Sequence, residues 1–428
     1  MSFTATDNDV KLVSDMADGL VGSEIIKLAG EVKAKIAAGE KIFNLTIGDF
    51  DPEVFPIPEA LEEEIISAYK NKLTSYPMAN GMLELRQAIS GFIKEKGGLD
   101  YSADEILVSG GARPLIYATY QAILNEGEKA LFPIPSWNNN HYSHLTGVNA
   151  QIIETLPENN FMPTVDQLKP HISDASMVAV CSPLNPTGTT FSEKDLREIC
   201  ELILAENKER KGKRKPVYLL FDQIYWLLTY NGIKHFNPVE LYPEMKEYTI
   251  SIDGASKAFC ATGIRVGWAF GPKFIMDKMK ALLSHVGAWS PKPEQMAFAK
   301  YLGRKEEVNK FLDKNIERLQ SRLNGFYDGF ISMKNDGLPV DTISPQGAIY
   351  LTLKFDLVGK QTPEGKILER TEDITRYLLE RAKVAIVPFY AFGTERSSTW
   401  YRLSVGTTTE EDVKGALSNI RAALEELK

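Results

Sequence analysis

The sequence predicts an α/β fold: a large domain with a mostly parallel central sheet between helices, joined to a smaller α+β domain. Three features carry that reading. From about residue 58, short strand-like segments alternate with helical segments of ten or more residues, the pattern of parallel strands linked by helical crossovers. Two of the strand segments, MVAVCSP and VYLLFDQ, are near-continuous apolar runs, as strands covered on both faces are. Beyond about residue 300 a long charged helical segment opens a region of different style. At 428 residues the chain exceeds the size at which one core stops growing, so two domains are expected.

The segments follow in order. SEIIKLAGEVKAKIAAG (23–39) repeats apolar residues at helical spacing and stops at Gly39. KIFNLTIGDFDP then reads as a short strand ending in a glycine and proline turn. PEALEEEIISAYKN and MLELRQAISGFIKEKG are helical, and EILVSG is a strand followed at once by the helix ARPLIYATYQAILNEG. KALFPIP, MVAVCSP, VYLLFDQ, EYTISIDGAS and VGWAFGP complete the expected sheet. The smaller domain reads as the helix EEVNKFLDKNIERLQSRLNGFYDGF, the strand GAIYLTLKF, a helix around 371–383, the strands VAIVPF and YRLSVG, and a closing helix, TEEDVKGALSNIRAALEEL. We place the large domain at 58–315 and the small one at 1–57 together with 316–428.

Composition narrows the function. The net charge of -8 offers no general attraction to nucleic acid. The one dense basic run, NKERKGKRK (207–215), reads as a solvated loop between a helix and a strand. No window approaches 18 apolar residues, so no membrane span is expected, and MSFTATDNDVK lacks the basic flank and apolar core of a secretory signal. Three scattered cysteines suggest no disulfide framework and a reducing, cytoplasmic setting. His141 and His144 lack cysteines or carboxylates at ligand spacing, so no metal is expected, and neither GxxxxGK[ST] nor GxGxxG occurs.

Unusual residues gather where strands end, and ligands of open α/β sheets bind at the carboxyl ends of strands. Ser109–Gly111 link a strand to a helix start, which suits a phosphate or is a plain turn. SPLNPTG (182–188) presents Asn185 from a rigid turn. Asp222 closes an apolar strand with Tyr225 three residues on; it is a helix cap or the partner of a cation. SIDGASKAFCATGIRVGWAF then carries Lys257 and Arg265, and a lysine among apolar strands is rarely buried unless paired or used. Pyridoxal 5'-phosphate calls for such a set: a lysine for its Schiff base, an acid at its ring nitrogen, a phosphate cradle, donors near its ring oxygen and an aromatic face. Lys257, Asp222, the 109–113 turn with Arg265, Asn185 with Tyr225, and Trp137 supply it.

On SPLNPTG, FDQIY, SKAFCATGIRVGW, PSWNNN and YRLS the chain resembles the class I/II group of fold-type I pyridoxal-phosphate aminotransferases, which contains aspartate and aromatic aminotransferases. The resemblance implies that Lys257 carries the cofactor and then moves the proton at the substrate carbon, while Asp222 keeps the ring nitrogen protonated. It implies that Asn185 and Tyr225 donate to the ring oxygen and that Trp137 stacks on the ring. Gly111, Ala112, Arg113 and Arg265 would hold the phosphate, with a hydroxyl from Ser256. Arg402 would grip the substrate α-carboxylate beside Gly48, Asn185 and Trp137. Tyr76 matches a tyrosine that reaches the neighbouring subunit's phosphate, which implies a homodimer with shared sites.

The implied activity moves an amino group between an L-amino acid and a 2-oxo acid, with aspartate and 2-oxoglutarate the first pair to expect. An aromatic or other amino donor, or a lyase on the same scaffold, stays open. Two departures bear on this. Three asparagines follow PSW, so His141 or Asn140 is expected to support the ring-binding aspartate, or His141 is structural. HVGAWSPKPEQMA has no arginine for a distal carboxylate; Lys292, Arg113 or neither serves, and Trp289 would instead make room for an aromatic side chain. A purely regulatory domain sits badly with the intact lysine–aspartate–arginine set and lacks a basic footprint for DNA.

Overall fold

A computed structural model describes residues 12–20, 22 and 24–428. The stretch MSFTATDNDVK, weighed above as a signal, and Ser23 at the start of the first expected helix lie outside the described residues. Strand β1 (Phe43–Asn44) precedes a seven-stranded sheet. That sheet is built from β2 (Ile106–Ser109), β3 (Lys129–Ile134), β4 (Asn149–Glu154), β5 (Ala175–Cys181), β6 (Tyr218–Asp222), β7 (Thr249–Gly254) and β8 (Gly267–Phe270). Their spatial order is β2-β8-β7-β6-β5-β3-β4. Only β8 runs antiparallel to its neighbours, β2 and β7. The carboxyl ends of the other six strands and the start of β8 therefore share one edge of the sheet.

Burial explains which strands the sequence announces. β5 and β6 are buried along nearly their whole length and β7 along all of it, between the helices Ala112–Ile123 and Lys273–Val286 on one face and Glu193–Arg210 on the other. A strand with two apolar faces shows no alternation. β4 was not anticipated. It lies at the sheet edge with most of NAQIIE exposed, so no apolar run marks it.

The smaller unit holds β9 (Val340–Thr342), β10 (Tyr350–Phe355), β11 (Val384–Ala385), β12 (Val387–Pro388) and β13 (Trp400–Ser404). β12-β13-β10-β9 form an antiparallel sheet, and β11 pairs in parallel with β1. The single strand expected over VAIVPF is thus two, in different sheets. Pro388 has no N–H to donate, and β12 takes an edge position where none is needed.

The basic run also differs from the solvated loop expected. The helix Glu193–Arg210 continues into it, and Asn207 and Arg210 are buried. Arg210 pairs with Glu206 at 2.7 Å and donates to the carbonyls of Ile172 and Ser173, while Lys215 meets Glu128. Apart from Glu206, one helical turn away, those partners are remote in sequence, so charge density alone did not reveal them.

The 31-residue helix Lys305–Asn335 joins the two units. Its Val308 and Leu312 pack with Phe298 and Tyr301, whereas Leu319, Leu323, Phe326 and Phe330 pack with Leu351, Leu353 and Leu403. One apolar stripe at helical spacing serves two cores in succession. Among the described residues no helix is long and apolar enough to cross a membrane. Leu323→Ala should cost about 2–5 kcal/mol, read as a lower denaturant midpoint at unchanged slope.

Candidate active site

At the shared sheet edge lies a cavity of about 510 Å³, within the range of small-molecule sites. Most of its charged side chains arrive by a short path from a strand end, and Arg402 comes from within a strand. β2 stops at Ser109, and Gly111, at φ 101°, turns the chain into the helix Ala112–Ile123. No side chain caps that helix, so its first N–H groups are available to an anion. Arg265 precedes β8 and donates to the carbonyls of Thr262 (2.7 Å) and Gly110 (2.8 Å). A Cβ on Gly111 would sit 2.2 Å from Nη2 of Arg265, and one on Gly267 would sit 2.3 Å from the carbonyl carbon of Gly111. Glycine at both positions lets the guanidinium and the helix start meet.

Beyond β3, Trp137 lines the cavity, and the Arg113 guanidinium lies 5.3 Å from its ring centre. Neither His141 nor Asn140 faces the cavity; Asn139 does. Its Oδ1 accepts from the Tyr120 hydroxyl at 3.2 Å. The helix Asn139–Thr146 begins there, and each further residue rotates by about 100°, which carries 140 and 141 away from the cavity. His141 lines an outer cleft with Tyr117 and Leu145, and burial, then His144, holds its imidazole below the usual value.

β5 and β6 set Cys181 beside Asp222, whose Oδ1 accepts from the Ile224 N–H at 3.1 Å. Lys257 follows β7 on the short helix Ala255–Ala258, next to buried Ser256, and its Nζ donates to the Gly48 carbonyl at 2.6 Å. Tyr225 shares a 2.8 Å hydroxyl contact with Tyr350. Arg402 comes from β13 in the smaller unit and is 2% exposed. It donates to Asn185 Oδ1 (3.1 Å) and to the Thr46 carbonyl (2.6 Å), and it rests on the rings of Tyr350 and Phe392. Its Nε has no partner among the described residues.

Burial governs the protonation of the site. It pushes the Asp222 carboxyl up to about 6, against the pull of the Ile224 N–H and the Lys257 cation. It brings the Lys257 amine down to about 8; Asp49 opposes that shift, and Arg402 and Arg113 add to it. Burial likewise raises Tyr225 far above the usual phenol, helped by Tyr350. Lys257, Arg113, Arg265 and Arg402 are four cations in one cavity, against the two carboxylates Asp49 and Asp222, a surplus of two positive charges. The cavity is built for anions.

Two expected site residues lie elsewhere in the chain. Tyr76, 84% exposed, and Lys292, which meets Ser75 Oγ at 2.9 Å, share a separate cleft with Trp289. Lys292 is the first residue of a helix. The reading of the sequence missed Tyr350, Asp49 and Thr262, all of which line the cavity. A tyrosine in an apolar strand and polar residues in loops carry no signal of their own.

The residues fit pyridoxal 5'-phosphate: an uncapped helix start beside an arginine for phosphate, a carboxyl at a strand end, an amine of lowered pKa, and an unpartnered arginine nitrogen. Fold and site together give an α/β protein with a lysine and three arginines around one cavity at the sheet edge. The model of the aminotransferases of class I and II matches residues 40–420, and the chain belongs to that family, whose cofactor is pyridoxal 5'-phosphate. An aspartate aminotransferase of Rhizobium meliloti (strain 1021) is 31% identical over 410 residues, covering 95% of this chain and 94% of that protein. The crystal structure of the aspartate aminotransferase from Rhizobium meliloti superposes with a TM-score of 0.88 at 29% identity, covering 98% of this chain and all of that one. The Thermus thermophilus aspartate aminotransferase with maleate superposes at 0.85 and 26% identity, covering 97% and 100%.

The lowered pKa of Lys257 has a stability consequence. Between about 8 and 10.5 the unfolded chain binds the proton that the folded amine has released, so the buried charge lowers stability below pH 8 and the penalty fades as pH rises. Lys257→Met should stabilise the cofactor-free chain at pH 7 by on the order of 1–3 kcal/mol. The gain over wild type in denaturant midpoint should shrink from pH 8 to pH 10.5.

Proposed function

We propose that this aminotransferase takes acidic substrates, with L-aspartate as donor and 2-oxoglutarate as acceptor. The observation that carries this is Arg113. Its guanidinium lines the cavity over Trp137 but makes no hydrogen bond or ion pair with the described residues, whereas Arg265 and Arg402 are both tied by hydrogen bonds. A second, uncommitted arginine in the cavity of Arg402 suits a substrate with two carboxylates, each gripped by a planar fork.

When bound, the cofactor supplies an electron sink for the pair released at the substrate α-carbon. Lys257 Nζ anchors it and then takes and returns the α-proton, a task for which a pKa of about 8 suits an amine. Asp222 would hold a proton at the ring nitrogen, and Asn185 and Tyr225 would donate to the ring oxygen. The backbone of Gly111, Ala112 and Arg113, with the Arg265 side chain and Ser256, holds the phosphate, which leaves the Arg113 side chain for substrate. Arg402 would bind the α-carboxylate beside Gly48 and Asn185, and Trp137 would supply the aromatic face for the ring.

We read the active unit as a cytoplasmic homodimer. Tyr76 and Lys292 support this, because they stand together on an open cleft away from their own chain's cavity. The change of core along the helix Lys305–Asn335 supports the division at 58–315, with the smaller unit able to close over substrate and exclude water.

Adding L-aspartate to the holoenzyme should move an absorbance band near ~420 nm to ~330 nm. Response to phenylalanine or tyrosine alone would overturn the acidic-substrate reading, and ammonia release without an acceptor would point to a lyase. Arg113→Gln should lower kcat/KM for aspartate by roughly 10–100-fold while sparing an uncharged donor.

A further inference from the structure

The loop Thr46–Asp51 runs past each part of the site. The Thr46 carbonyl accepts from Arg402 at 2.6 Å, and the Gly48 carbonyl accepts from Lys257 at 2.6 Å. Asp49 Oδ1 accepts from the Phe50 N–H at 2.8 Å and from the Thr262 hydroxyl at 2.7 Å. The Thr262 carbonyl in turn accepts from Arg265 at 2.7 Å. On its other side the loop is pressed against the end of β13: Asp51 N–H donates to the Gly406 carbonyl at 3.1 Å, and a Cβ on Gly406 would lie 2.0 Å from the Asp49 carbonyl oxygen. The loop thus rides with the segment that carries Arg402, while Thr262 sits on the turn between Lys257 and Arg265. The Asp49 side chain fastens the one to the other.

We propose that Asp49 is a positioning residue whose carboxylate clasps the Thr46–Asp51 loop onto Thr262 and so holds the Gly48 carbonyl against the Lys257 amine. The proposal rests on Lys257 as the cofactor-bearing lysine. An acceptor at 2.6 Å and a nearby carboxylate both favour the protonated amine. The other groups that face Lys257 are Arg402, Arg113, Asp222, the Cys260 thiol and the Tyr225 ring; Asp49 itself also faces Tyr350 and Cys260. Among them Asp49 acts twice, by its charge and by the carbonyl that its clasp keeps in place. It sets the amine higher than burial and the two arginines alone would leave it, and it places that amine on the loop that also contacts the α-carboxylate arginine.

The test uses the full-length chain stripped of cofactor, in which the amine is free. Recapture of pyridoxal 5'-phosphate is followed by the growth of its bound absorbance band from pH 6 to 10, and the midpoint of the rate profile reports the ionisation of the amine. Thr262→Val, which breaks the clasp but keeps the carboxylate, should move the midpoint down by roughly half a pH unit. Asp49→Ala, which removes clasp and charge, should move it further. Thr262→Ser restores the hydroxyl and should match wild type, a rescue that a merely structural role for the methyl group would not produce. Wild-type midpoints in both Thr262→Val and Asp49→Ala would overturn the clasp, as would a Thr262→Ser shift equal to that of Thr262→Val. Lys257→Ala separates the two readings. If it captures the cofactor with the wild-type band, the assignment of Lys257 fails; if it captures none while Thr262→Val behaves as wild type, the clasp alone fails.

Discussion

Four cations and two carboxylates share one cavity, and the rest of the site follows from that imbalance. Arg402 is buried and Lys257 half-buried, where charge without a partner is expensive, and protein carboxylates do not supply the balance. Arg402 is held by a carbonyl, an amide oxygen and two aromatic faces, and Arg265 by two carbonyls. Such partners orient a guanidinium without cancelling its charge. The attraction is left for anionic ligands, and burial, with Arg402 and Arg113 adding to it, lowers the lysine amine to about 8.

Holding like charges together takes a stiff frame. The buried strands β5, β6 and β7 provide it, and the reversal of β8 matters most for the placement of Arg265. Because β8 alone runs antiparallel, its beginning rather than its end lies at the functional edge, so Arg265 enters from the loop before it. Close approach then needs glycine at 111 and 267. At Gly188, in the SPLNPTG turn, φ is +70° and a Cβ would lie 2.1 Å from the Tyr350 carbonyl oxygen, so the large unit docks directly on β10 of the smaller one. Tyr350 thereby bridges Tyr225 and Arg402, residues contributed by different units.

Legibility in the sequence followed burial and locality. The strands ending at Cys181, Asp222 and Gly254 showed themselves because both faces are apolar, and Lys257, Asp222 and Asn185 were conspicuous as polar residues at their ends. β4 was invisible because an exposed edge strand needs no apolar run. The split of VAIVPF and the burial of Arg210 depend on partners far along the chain, which composition does not encode. Asn139 faces the cavity and His141 and Asn140 do not, because the helix that begins at Asn139 turns them away. Tyr350 meets Tyr225 across 125 positions of chain, and Asp49 meets Thr262 across 213.

The sequence alone therefore determined the fold class, the cofactor chemistry and the identity of the polar groups at the strand ends, because periodicity and local turn chemistry are properties of short segments. The tertiary structure decided which of those groups share a cavity, which arginine is left uncommitted, and which loop the lysine amine rests on. Those outcomes depend on distances between segments joined by hundreds of residues of chain, and such distances exist only once the sheet and the smaller unit have packed together.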